Sequence, residues 1–274
     1  MAQDHPGFAV LPFTASNLLK ASLVLVGSLT GIDWNREPTG KETGEAQRIW
    51  TVLCELDSGK IVAKGTALAE PAGIDVPPSR AFADSPAWTD DRFVRAHLAT
   101  CAGTVGDPMD PVYLDGLLAA ALVVEATAAY EAQDYERALD YFEQAERTPA
   151  GDQLRIHNGL YMTNWGLGRH AEADEAFEGL VDDGFRARHL SVKFLFRPGS
   201  ATFLTSATGP AALNDRLSRL RADYIRERLE DAKPELSSRL IAHGAGSSEN
   251  IVGTGRDDQT DALDRRVEMA PFDC

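Results

Sequence analysis

Two strings in the last third of the chain decide how it is read: NDRLSRLRADYIRERL, from Asn214 to Leu229, and RLIAHGAGSSENIVGTGRDDQTDALDRRVEM, from Arg239 to Met269. In the first, Leu213, Leu217, Leu220 and Tyr224 recur at helical spacing and predict one apolar stripe on an amphipathic helix. Pro210, whose fixed φ suits a first helical turn, sets the start, and the helix must stop before Pro234. Arg221 falls about 80° from Leu213 at roughly 100° per residue, on the shoulder of the stripe, from where it would reach into a groove. The second string alternates through RLIAHGAG, crosses a Gly-rich stretch and resumes at RRVEMAPF, which predicts strand, loop and strand.

These strings resemble the OmpA-like, peptidoglycan-associating domain. Asn214, Leu217, Ser218, Arg221 and Ala222 match that family's N-x-x-L-S-x-x-R-A helix, the Gly244 to Ser247 run matches its G-x-G-x-S turn, and Arg265, Arg266 and Val267 match its closing N-R-R-V. The motifs fall in the family's order over about 80 residues. The resemblance implies a non-enzymatic cell-envelope protein, in the periplasm or at the outer membrane, whose partner is the peptidoglycan stem peptide and which carries no cofactor and no metal. A stem peptide ending in a diamino acid offers carboxylates and an ammonium, so its holder needs a guanidinium for bidentate pairing and an acid for the amine. By resemblance Arg221 supplies the first, with Asn214, Ser218, Arg265 and Arg266 around the ligand. The family's acid lies in a G-H-T-D run before the helix; aligning on the Thr208, Gly209, Pro210 turn puts Ser206 there, which accepts a hydrogen bond but carries no charge. The alternative for Arg221 is a solvated helix arginine paired with a neighbouring acid.

Between VKFLF (Val192 to Phe196) and Asn214 lie 17 residues, including Pro198, Gly199, Gly209 and Pro210. The family places a helix and a second strand there, and a parallel crossover alone needs about a dozen residues. The domain is therefore expected to be shortened, missing a helix and a strand, with TFLTS (Thr202 to Ser206) a strand stub or loop.

The whole chain is long enough, at 274 residues, for two or three small domains. A formal charge of −15 argues against nucleic acid and against an anionic membrane surface. No stretch approaches the roughly 20 apolar residues of a membrane span, so no transmembrane segment is expected. MAQDHPGF has neither a basic n-region nor an apolar h-region and by itself predicts a cytoplasmic chain; the envelope reading requires a leader upstream. Cys54, Cys101 and Cys274 form no C-x-x-C and no His-Cys cluster, which argues against zinc, and Cys54 reads as a small buried hydrophobe.

FAVLPF, LVLVGSLTGI, RIWTVLCEL and KIVAKGTAL predict strands, the last two joined by a hairpin turn at Asp57, Ser58 and Gly59. This order weakly resembles the FlgO-type domain of envelope lipoproteins. From Glu70 the chain reads as loop, anchored at Trp88, then as a helix from Asp90 to Thr100 ended by Gly103; GDPMDP (Gly106 to Pro111) reads as a boundary.

Beyond that boundary lies an internal repeat. AYEAQDYERALDYFEQA and NWGLGRHAEADEAFEGL align at an offset of 35, matching Gln133 with Gly168, Ala138 with Ala173 and Phe142 with Phe177. A turn residue, a small residue and an aromatic at those places resemble the tetratricopeptide repeat. Leu114 to Ala132 and Gln153 to Trp165 would be the first helices of each pair, and two such units need a flanking domain to pack on.

The fold class expected is α+β: a sheet-rich domain over 1–105, tetratricopeptide-like hairpins over 112–190 and a shortened α/β OmpA-like domain over 191–274. The six histidines are dispersed, and no H-E-x-x-H, G-x-S-x-G or P-loop occurs, so no enzyme is expected. Asp257, Asp258, Asp261 and Asp264 fit no EF-hand spacing and are expected to pair with Arg256, Arg265 and Arg266 or to cap a short helix at Thr260 to Leu263. The alternative to murein association is an interaction scaffold in which the helical hairpins hold a protein partner.

Overall fold

The computed structural model describes residues 9–32, 46–69, 79–85, 91–187, 190–192, 211–232, 234, 237–245 and 267–269. It is an α+β structure in two compact units, Met1–Ser85 with Thr89–Ala187, and Pro86–Trp88 with Arg188–Cys274.

The first unit begins with a short helix, α1 (Ala15–Leu18), then β1 (Leu23–Ile32), β2 (Ala46–Glu55) and β3 (Lys60–Ala69), an antiparallel sheet in that order. FAVLPF is not a strand over residues 9–13. Pro12 brings no N–H to a ladder, and Thr14 instead caps α1 by accepting from the Asn17 N–H. Alternation in the three strands gives one apolar inner face of Val24, Val26, Val52, Cys54 and Ile61, all buried. The outer face keeps leucines in solvent, Leu25 being 61% exposed. Gly59 closes the β2–β3 turn with φ +64°, which a side chain would resist. Leu53 pairs with Ala63 but Cys54 with Ile61, so Val62 is the extra residue of a bulge.

The GDPMDP run, expected as a boundary, is stitched to the start of β3. Gly106 N–H donates to Ile61 O at 2.8 Å, Met109 N–H donates to Gly59 O at 2.7 Å, and Met109 is buried with the inner sheet face. Cys101 and Leu117 join the same cluster, so sheet and helices share a core. The regions expected as separate domains over 1–105 and 112–190 accordingly fall in one unit.

The helices of this unit are α2 (Arg80–Asp84), α3 (Arg92–Ala102), α4 (Pro111–Asp115), α5 (Leu117–Glu131), α6 (Tyr135–Glu146), α7 (Leu154–Gly166) and α8 (His170–Ala187). Asp91 caps α3 by accepting from Phe93 N–H at 2.9 Å and Val94 N–H at 3.0 Å, and Gly103 ends it. The pairs α5–α6 and α7–α8 are two helical hairpins in contact through α6 and α7. Gln133 and Gly168, aligned by the repeat, both take positive φ, +62° and +73°. Alanines at 119, 121, 126, 138 and 145 are fully buried and let the helices approach closely. Phe142 fills the space between hairpins, lying over Gly159, where any Cβ would overlap its ring.

The second unit contains β4 (Leu190–Val192), α9 (Ala211–Ala232) and β5 (Val267–Met269). Strand β4 pairs antiparallel with β5, Leu190 opposite Met269 and Val192 opposite Val267. RLIAHGAG, expected as a strand, is not one where described: residues 237–239 form a turn and 240–245 have no regular structure. Residues 193–210, where a helix and strand were expected to be missing, and Thr260 to Leu263 lie outside the described residues, as do Trp88 and Cys274.

Candidate functional site

The 22-residue helix α9 carries the motif residues. Ala222 and Ile225 are buried, while Ser218 and Arg221 are half-buried. These four stand at i, i+3, i+4 and i+7 and make one packed face. Leu220, placed in the apolar stripe by its spacing, is 44% exposed. Arg221 therefore sits within the packed face and not on its shoulder, and its Nε and Nη2 atoms are shielded from solvent.

Arg226, also half-buried with its Nε shielded from solvent, lies 3.6 Å from Asp223 and 3.7 Å from Glu230 on its own helix. Helix pairs at this i,i+3 and i,i+4 spacing contribute about 0.2–0.5 kcal/mol each.

Gly244, first of the G-x-G-x-S turn, comes up against the same helix. A Cβ there would lie 2.6 Å from Ser218 Oγ and 2.8 Å from Arg219 Cα, so only glycine permits this approach. The loop thus meets α9 one turn before Arg221. Of the six residues named from the sequence, the structure brings Ser218 and Arg221 onto one face. Asn214 lies in α9, its side chain outside the described set; Ser206, Arg265 and Arg266 lie outside it altogether.

A second constellation, in the first unit, left no short-range signal because its members come from a loop and two helices. Asp152, His157 and Asp183 have ligand atoms within 4.8 Å of one another. His157 Nδ1 lies 2.6 Å from Asp183 Oδ2. Arg186 donates to both Asp152 oxygens, at 2.6 and 2.9 Å, and to Asp183 Oδ1. The guanidinium already neutralises the carboxylates that a cation would need, so the cluster is an ion-paired clasp between α8, α7 and the loop before α7. The hydrogen bond to Asp183 raises the His157 pKa against the opposing effect of burial, and the hydrogen bond to Arg186 lowers that of Asp152.

A thiol–imidazole pair also occurs. Cys101 Sγ lies 3.8 Å from His97 Nε2, which is 3.0 Å from Gly27 O. With the Nε2 proton directed at that carbonyl, the ring offers the thiol no base there. Burial raises the Cys101 pKa and pushes Cys54 up to about 11, so both thiols stay protonated. These are core residues and not nucleophiles.

The structure thus defines an α+β protein with a paired helical-hairpin unit and a second unit built on one long helix. Comparison with protein-family models, with curated proteins and with solved structures returned no match.

Proposed function

We propose that this is a non-enzymatic cell-envelope protein that associates with peptidoglycan through its second unit, with Arg221 pairing the stem-peptide carboxylate. The observation that carries this reading is the meeting of two separate motif segments, Gly244 against Ser218, one turn from Arg221. A guanidinium on a packed face gains more from a bidentate carboxylate than one in open solvent, because less competing water surrounds it. Ser206 in place of the family's acid leaves the ammonium of the stem peptide without a charged partner, which implies weak association. The test is co-sedimentation of the full chain with purified sacculi. Arg221→Ala should abolish pelleting and Arg226→Ala should leave it intact; unchanged pelleting of Arg221→Ala would overturn the assignment.

A second reading, a protein-interaction scaffold, is favoured by a separate observation on the last hairpin. Trp165 is 54% exposed and stacks on Tyr161 with ring centroids 6.1 Å apart, beside the acidic helix α8. An exposed tryptophan of this kind suits a partner anchor. Trp165→Ala would then remove a captured envelope protein while sacculus pelleting is retained.

A further inference from the structure

The furrow where α5 and α7 touch is not empty. Residues 79–85, SRAFADS, lie against both helices and are held at three points. Glu131, at the end of α5, accepts from Arg80 N–H at 3.0 Å and from Ala81 N–H at 2.8 Å. Tyr130 donates to Asp84 Oδ2 at 2.9 Å. Asn158, on α7, donates to Ser85 Oγ at 2.6 Å. Between these anchors Ala81 packs on the cluster of Ala129, Tyr130, Ala138 and Met162, which spans both hairpins.

The contacts are those of a bound peptide more than of a core element. The contacts with Glu131, Tyr130 and Asn158 are polar, and each of these partners presents a group that reads backbone or a short polar side chain. The fit is also incomplete. Asn158 is 6% exposed, yet its Oδ1 has no hydrogen-bond partner among the described residues. Either assignment of the amide leaves the same result: Ser85 satisfies one end and the other end stays open. A buried amide end left open beside an occupied groove marks a place where a different segment, with the complementary group at that height, would bind better.

We propose that the α5–α7 furrow is a peptide-binding groove which the chain fills with its own residues 79–85, an internal ligand that competes with an outside segment of the same pattern. The pattern is a hydroxyl residue, two free backbone N–H groups for Glu131, a small apolar residue, and then Asp-Ser. The inference is independent of the murein reading and rests on the scaffold reading only in assigning peptide recognition to the hairpins. Tethering explains why a shallow fit suffices: a covalently linked segment acts at an effective concentration on the order of millimolar, so a free peptide of equal affinity is largely excluded.

The test uses the full chain and a fluorescein-labelled synthetic peptide of residues 77–87, PPSRAFADSPA, monitored by fluorescence anisotropy. Ala81→Glu in the chain sets a carboxylate against Glu131 and dislodges the internal segment without touching the groove. This variant should bind the peptide about tenfold more tightly than the unaltered chain. Binding should be lost when Glu131→Gln and Asn158→Ala are added, and lost when the peptide itself carries the Ala81→Glu change. The proposal is overturned if the Ala81→Glu chain keeps its circular dichroism and melt yet binds no better than the unaltered chain, or if the altered peptide binds as well. Should the variant not fold, hydrogen exchange on the unaltered chain decides. Amides 80–85 exchanging about 100-fold faster than those of α5 and α7 support a displaceable segment, and equal protection overturns it. Sacculus pelleting of Ala81→Glu should equal that of the unaltered chain, which keeps a failure here separate from a failure of the Arg221 assignment.

Discussion

In the first helical hairpin the repeat aromatic, Phe142, is 2% exposed and covers Gly159 of the next hairpin. Its counterpart in the second, Phe177, is half-buried and meets Tyr161 at a ring distance of 5.5 Å. The two positions share sequence spacing, helix and turn, yet differ in the element packed over them. Phe142 is buried because a further hairpin stacks on it; Phe177 meets an aromatic of its own hairpin. Repeat identity therefore sets where an aromatic points, while the neighbouring repeat sets what it contributes.

That difference can be broken from several sides. The largest expected effect is Phe142→Ala, which should lower stability in urea by about 3–5 kcal/mol, against about half that or less for Phe177→Ala. Equal losses would mean that stacking between hairpins adds nothing. Next comes Gly159→Val, whose methyls would collide with the Phe142 ring. A loss of about 2–3 kcal/mol is expected, partly restored when Phe142→Leu is combined with it; strict additivity in the double variant would refute the contact.

The turns sharpen the same comparison at smaller scale. Gln133 occupies the left-handed region where its counterpart is glycine, so Gln133→Gly should stabilise by about 1 kcal/mol and Gly168→Ala should destabilise by a similar amount. Thermal melts of the two single variants moving in the same direction would contradict this.

The smallest effect separates the hairpins by pH. The second carries the His157–Asp183 pair, and the folded-state pKa of His157 is raised. Its stabilisation is thus complete below the unfolded value of about 6.5 and is lost as pH climbs through the higher folded value. Stability should fall over that interval by at most about 1.4 kcal/mol per pH unit, and His157→Gln should flatten the slope. Asp152 acts at the other end: its lowered pKa gives stability present above about 3.9 and lost as pH falls through the folded value. A pH profile unchanged by His157→Gln would show the clasp to be energetically idle.

Much of the first unit was legible because its signals are local. The Asp57–Ser58–Gly59 turn and the repeat offset each rest on a backbone preference carried by one or two residues, whereas Gly103 ends α3 at φ −57° and is held to glycine by Ile61, 2.6 Å from where a Cβ would stand. The misleading patterns were those whose outcome depends on distant partners. GDPMDP reads as a linker by composition, yet its backbone pairs with the start of β3, which no proline count reveals. Helix α2 hid in a proline-rich run; its signal was Ser79, which accepts from Phe82 N–H at 3.2 Å and comes directly after two prolines. On α9 the leucine spacing gave the helix, but Leu220, one of the expected stripe, is exposed, while Tyr224 is half-buried and the side chains of Leu213 and Leu217 lie outside the described set. Ser218 is small enough to admit Gly244 beside it. RLIAHGAG alternates as a strand should, but Gly244 is drawn onto the helix. Of the candidate site, the helix positions of Asn214, Ser218 and Arg221 were readable, and the depth of the guanidinium was not.

The pairing of β4 with β5 bears on how the chain is made. Among the described residues Leu190 finds its strand neighbour at Met269, so this pairing forms only after the ribosome has passed that residue. The first unit has all its sheet partners within its opening segment and can condense earlier. A nascent chain accordingly holds β4 without β5 while the first unit already has its sheet, which makes that strand a point of engagement for chaperones that hold unfinished polypeptides.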